Sequence, residues 1–168
     1  MPTKLLIATC TVCLVASGAL GAGSADWRSW RGPLGYGSTD QGNYAVEFSA
    51  TKHLWRTPLP GKGCSTPICL QERIYLTAPA SGRDALLCYD FQGAEQWRAV
   101  FGPENVGKHR NGSGSNASPV SDAQGVFVFF KSGTFAAVEL DGSIRWQTDL
   151  VARYGKDTLY WDHGTSPV

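Results

Sequence analysis

Five residues in two glycine-containing stretches carry side chains suited to recognition or proton chemistry: His109 and Arg110 in the first, Trp161, Asp162 and His163 in the second. The two histidines together could hold a metal ion or serve as a general base, although loop histidines are more commonly solvated. The segment NGSGSNAS (111–118) lacks the Lys-Ser/Thr end and the following helix of a phosphate loop, and reads as a flexible connector. Cys64, Cys69 and Cys88 permit one disulfide at most, Cys64–Cys69 or Cys69–Cys88, and suit equally a role as small apolar packing residues. None stands at a zinc-ligand spacing. Residue type and spacing therefore assign no catalytic, cofactor or metal residue. His109, Arg110, Trp161, Asp162 and His163 are candidates for a polar, aromatic binding mouth.

The elements that must position this mouth follow from internal repetition. STPICLQERIYLT (65–77) aligns without a gap on ASPVSDAQGVFVF (117–129), placing Pro67 on Pro119 and Tyr75 on Phe127. SGRDALLCYD (81–90) then lies on SGTFAAVELD (132–141), and a turn differing by two residues brings GAEQW (93–97) onto GSIRW (142–146). TSPV (165–168) opens a third copy. Each unit parses into four short strands separated by polar turns, with proline at the start of the first strand, where no ladder bond is lost. Asp141-Gly142 is a two-residue hairpin signal. Four antiparallel strands per unit of about 50 residues describe a β-propeller blade, so the fold class is all-β. One such sheet cannot bury both faces alone and needs neighbours. The recurring Trp55, Trp97 and Trp146 are accordingly expected to be wedges between blades.

This parse makes 53–58 a fourth strand, 65–100 a blade, 117–150 a second blade and 165–168 the start of the next, all within a partial propeller spanning 53–168. The connections Phe101–Asn116 and Leu150–Gly164 are longer than the one leading into the first blade. They emerge on the same face as the Ser-Gly turns, where a rigid scaffold usually presents binding groups. They also contain all five mouth residues.

The chain begins differently. Lys4, an apolar run from Leu5 to Leu20 and the small-residue stretch GAGSA (21–25) have the form of a secretory signal peptide over 1–25. The run is too short to span a bilayer, so no transmembrane segment is expected after signal removal. An N-terminal lead-in segment, 26–52, follows. With 15 basic and 14 acidic residues in the whole chain, one of the basic residues being Lys4, the remainder is near neutral, which disfavours nucleic acid as a partner.

The pattern of SP-V, VFVFF, SG and LDG…RW, with Asp90, Gly93 and Trp97 and then Asp141, Gly142 and Trp146, resembles the PQQ-like (quinoprotein-like) repeat. The segment DWRSWRGPLGYGSTD (26–40) is similar to the lead-in of exported members in the outer-membrane-assembly-factor-B-like group. The resemblance implies a propeller of about eight blades, of which this chain would be an N-terminal fragment, and a periplasmic or secreted location. It implies a non-catalytic scaffold for an unknown protein or small-molecule ligand, with no cofactor in this part of the chain. The alternative it implies is a PQQ-dependent dehydrogenase oxidising alcohols or sugars, with PQQ and calcium held mostly by residues beyond 168. The adjacent cysteine pair of the alcohol-oxidising relatives is absent here.

Overall fold

The computed structural model describes residues 26–39 and 53–168, so the expected signal peptide and part of the lead-in lie outside the described residues. Short β-branched and aromatic runs form two sheets. The first has the order β1 (Ile68–Leu70), β2 (Arg73–Thr77), β3 (Arg83–Asp90), β4 (Glu95–Pro103). The second repeats it as β5 (Val120–Ser121), β6 (Gly125–Phe129), β7 (Thr134–Glu139), β8 (Ile144–Asp149). Every neighbouring pair is antiparallel. These are two propeller blades, and the proline of each unit stands directly before its first strand. A short helix, α1 (Leu150–Tyr154), interrupts the second long connection and was not foreseen; the Asp149 carboxylate caps it by accepting from Ala152 N at 2.9 Å.

Period-two alternation decides what each face buries. Leu86, Cys88, Ala99 and Phe101 of the first blade meet Val126, Val128, Phe130, Ala136 and Val138 of the second in one continuous core. Phe101 and Phe130 cross this interface with ring centroids 5.4 Å apart. The opposite face of the first blade buries Leu76, Ala85, Leu87 and Tyr89.

The tryptophan wedge is resolved in detail. Trp97 packs against this core and donates from Nε1 to Leu140 O of the second blade at 3.1 Å. A Cβ on Gly142 would lie 2.8 Å from the Trp97 ring. One unit earlier, Trp55 donates to Phe91 O at 2.7 Å and its ring would meet a Cβ on Gly93 at 2.6 Å. The glycine four residues before each tryptophan therefore receives the indole of the preceding unit. Trp146 keeps to its own sheet, against Phe127 and Phe135, and is 39% exposed.

Two expectations need correction, the two-residue hairpin and the ungapped match of the third strands. Residues 53–58, read as a fourth strand, have no strand beside them among the described residues to ladder with, and they reach the first blade through Trp55 and Thr57, whose Oγ1 donates to Gly93 O at 2.7 Å. The β3–β4 and β7–β8 turns have one geometry: Gly93 N donates to Asp90 O and Gly142 N to Glu139 O, with only the glycine at positive φ. Asp141-Gly142 is thus not a two-residue hairpin. The length difference lies instead in the β2–β3 hairpin, which runs from Thr77 to its partner Leu86 where the second blade runs from Phe129 to Phe135. Cys88 consequently corresponds to Ala137, each facing the unit's tryptophan in register. Of the alternatives open for Cys64, Cys69 and Cys88, the structure has all three as free thiols, and burial pushes Cys88 up to about 11.

The lead-in segment straps the two blades together along their first strands. Trp27 exchanges both backbone bonds with Cys69 at 2.8 Å, and Ser121 N donates to Arg28 O at 2.9 Å. Asp84, fully buried near the β2–β3 turn, accepts from Ser132 Oγ of the second blade at 2.5 Å while its Oδ1 has no partner. Burial pushes its carboxyl up to about 6, with the charge of Glu104 adding to the rise and the Ser132 bond opposing it.

Two outcomes follow from these contacts. Gly142→Ala pairs an unfavourable φ of +92° with the Trp97 clash and is expected to cost roughly 2–3 kcal/mol in denaturant unfolding, whereas Gly155→Ala, at φ +87° in open space, costs about 1 kcal/mol. Because the Asp84 pKa is higher in the folded state than in the unfolded chain, the native state binds an extra proton and this group's contribution to stability falls as pH rises from about 4 to about 6. Asp84→Asn is expected to remove that slope and raise the melting temperature at pH 7.

Candidate functional site

Both long connections leave the blade end that carries the Ser-Gly turns, and a buried ion pair clamps them there. Lys131, directly before the Ser132-Gly133 turn, places Nζ 2.7 Å from Asp162 Oδ1, and both side chains are almost fully buried. Lys131 Nζ also donates to Val106 O at 2.5 Å. Asp162 accepts the backbone N–H of Lys108 on both carboxylate oxygens, at 3.0 and 2.9 Å. Burial pushes the Asp162 carboxyl up, but Lys131 and the Lys108 and His109 amides outweigh it and hold the group below the usual carboxylate range. A carboxylate that accepts this many bonds keeps its charge in a dry site.

The clamp brings four of the five candidate residues to one place. His109, Arg110, Trp161 and Asp162 line a cleft of about 510 Å³ with Asn111 and Gly112. The His109 ring lies 4.9 Å from Trp161 and 5.7 Å from Tyr160, and Tyr160 meets Trp161 edge-on at 4.9 Å. Tyr160 and Trp161 remain 73% and 66% exposed, while His109 Nε2 is buried without a partner. His163 does not join them. It packs edge-on against Phe129 at 6.0 Å and its Nε2 lies 3.1 Å from Asp157 Oδ2. The Leu159 amide, 2.9 Å away, holds Asp157 below the usual carboxylate range, and His163 adds to this.

This geometry gives the two histidines different partners, and no group of three or more metal-ligating side chains occurs among the described residues. The cleft does not suit a calcium–quinone pair: its one carboxylate, Asp162, is fully engaged by Lys131 and Lys108, and calcium takes six or more oxygen ligands. What the cleft offers is a surface of tilted and edge-on aromatic rings with Arg110 beside it. Such surfaces bury large area at low entropic cost.

Two residues essential to the cleft were missed in the sequence. Lys131 precedes a Ser-Gly turn, where no neighbouring residue marks it as half of a buried pair. Gly112 belongs to NGSGSNAS, where Asp162 Oδ2 occupies the space a side chain would need. That stretch is no loose connector: Ser113, Ser115 and Ser118 are buried, Ser115 N donates to Ser113 Oγ at 3.0 Å, and Asn116 Oδ1 accepts from Ser113 N at 2.9 Å. A polar run directly after a His-Arg pair, with small residues throughout, is the signal that could have indicated tight folding rather than slack.

The family model described as outer membrane protein assembly factor BamB matches residues 32–161, a span that takes in both blades, the first connection and most of the second. No curated protein matches the chain. No described helix is long and apolar enough to cross a membrane.

Removing one member of the clamp leaves the other buried and uncompensated. Lys131→Met is expected to destabilise the fold by about 3 kcal/mol. The double variant Lys131→Met/Asp162→Asn should lose markedly less than the sum of the single changes in a denaturant double-mutant cycle. Additive losses would show that the two side chains do not act as a pair.

Proposed function

Because the chain belongs to the PQQ-like repeat family of outer membrane protein assembly factor BamB, we propose that it is an exported, non-catalytic propeller whose clamped loop cleft docks a protein partner. Export rests on the leader pattern of residues 1–25, which would deliver the protein to the periplasm or beyond the cell. The observation that carries the docking role is the exposed ring pair Tyr160–Trp161, backed by His109 and fixed by the buried Lys131–Asp162 bond. Aromatic residues standing proud of a rigid base are the usual energetic centres of protein interfaces. Holding them in place before binding removes the ordering cost that a slack loop would add. Arg110, beside them, supplies hydrogen-bond donors at the rim. No step of acid–base or redox chemistry enters this reading.

The test is site-specific photocrosslinking in cells that export the full chain. A crosslinking side chain at position 160 or 161 is expected to give a defined protein adduct, and one at Gln92, exposed at the opposite end of the blade, is not. Tyr160→Ala/Trp161→Ala should weaken binding to that adduct partner on the order of tenfold or more without moving the melting temperature. Dye-linked oxidation of an alcohol or sugar on addition of PQQ and calcium, with no adduct at 160 or 161, would replace this reading with the dehydrogenase.

A further inference from the structure

A second cavity, sharing no lining residue with the cleft above, lies where the lead-in strap crosses the first strands of the blades. It measures about 590 Å³ and is bordered by Trp30, Arg31, Thr66, Asn116, Ser118 and Ser166. Thr66, Ser118 and Ser166 are one repeat position, each directly preceding the proline that opens a unit. They are linked in series: Thr66 N donates to Ser118 Oγ at 2.8 Å, and Ser118 N donates to Ser166 Oγ at 3.0 Å. Each of these bonds occupies an oxygen lone pair and leaves the hydroxyl hydrogen to be given elsewhere. Neither hydroxyl has an acceptor among the described residues, and Ser118 is buried. Asn116 shows the same polarity, since Ser113 engages its Oδ1 and its NH2 group remains a donor.

The charge agrees with the hydrogen-bond polarity. Arg31 is the one ionisable side chain other than Cys64 on the cavity wall and no aspartate or glutamate lines it; Val168, with its α-carboxylate, also borders the cavity but makes no ion pair with Arg31. Among the described residues the Arg31 guanidinium has no carboxylate partner; it lies over the Trp30 ring, 4.7 Å from its centroid. A guanidinium stacked on an indole keeps its forked N–H edge available. The O–H and N–H donors on this largely apolar wall, with one cation that has no ion-pair partner, favour an acceptor-only anion.

We propose that this cavity is a carboxylate-binding site, with Arg31 as the charged anchor and the Ser118 and Ser166 hydroxyls and the Asn116 amide as supporting donors. The carboxylate belongs either to a small organic acid or to the C-terminus of a peptide laid along the first strands. The site is independent of the docking cleft, so failure of one leaves the other untouched.

The test follows the Trp30 indole resonance by NMR in the full chain during titration with sodium acetate, against sodium chloride at matched ionic strength. Acetate is expected to shift it saturably and chloride not. Arg31→Met should weaken acetate binding roughly tenfold or more at unchanged melting temperature, and Arg31→Lys should retain part of it. A short peptide with a free C-terminus that binds more tightly than acetate, and loses that advantage when amidated, identifies the peptide as the source; equal binding of acetate and free peptide identifies small acids. The proposal is overturned by an absent or chloride-equivalent response, by unchanged affinity in Arg31→Met, or by an amidated peptide binding as well as the free one.

Discussion

The structure depends on an indole lying flat against a glycine of the next unit. Trp97 over Gly142 and Trp55 over Gly93 are the same contact made twice, and in each the indole N–H reaches the carbonyl two residues before the glycine. The contact imposes two demands at once. The glycine must be small enough to accept a ring and must adopt positive φ to close its turn, and only one residue type satisfies both. The result fixes the separation of adjacent sheets. The apolar rows of Tyr75, Leu86 and Phe101 can then meet Val126, Val128 and Phe130 without a gap.

That fixed spacing also explains why the loop end can be so ordered. Blades that cannot slide hold Lys131 and the two connections at constant distance, and a buried ion pair is tolerable only where geometry is this constrained. The Asp162 carboxylate satisfies an amide of one loop and an ammonium of the neighbouring turn while belonging to the other loop. Tyr160 and Trp161 are exposed because the clamp takes up the polar residue beside them and leaves the rings no interior to enter. Rigidity at the base and exposure at the tip have a single origin.

Much of this was legible in the chain itself. The two blades, their strand order and the wedge role of Trp97 follow from repeat spacing, because packing between equal units forces equal residues at equal places. The closeness of His109, Arg110, Trp161 and Asp162 follows from the strand count, which sends both connections to one end. Other features were not legible. An ungapped match of SGRDALLCYD to SGTFAAVELD placed the third strands two residues out of register, since turn residues resemble one another more than the buried positions do. His163 departs from its neighbours because Phe129 and Asp157 hold it, and neither is near it in a motif. The partnership of Lys131 with Asp162 leaves no periodic trace, because a single long-range pair repeats nowhere.

The strap formed by Trp27 and Arg28 carries a consequence for the order of events during folding. Its backbone partners are Cys69 and Ser121, one in each blade. The first part of the described chain to leave the ribosome therefore has no complete binding surface until both sheets have been made. It must wait, extended and solvated, and closes over the finished pair as a late long-range step whose loop entropy is met only at the end. Chain synthesis runs from this segment outward, whereas assembly reaches it last.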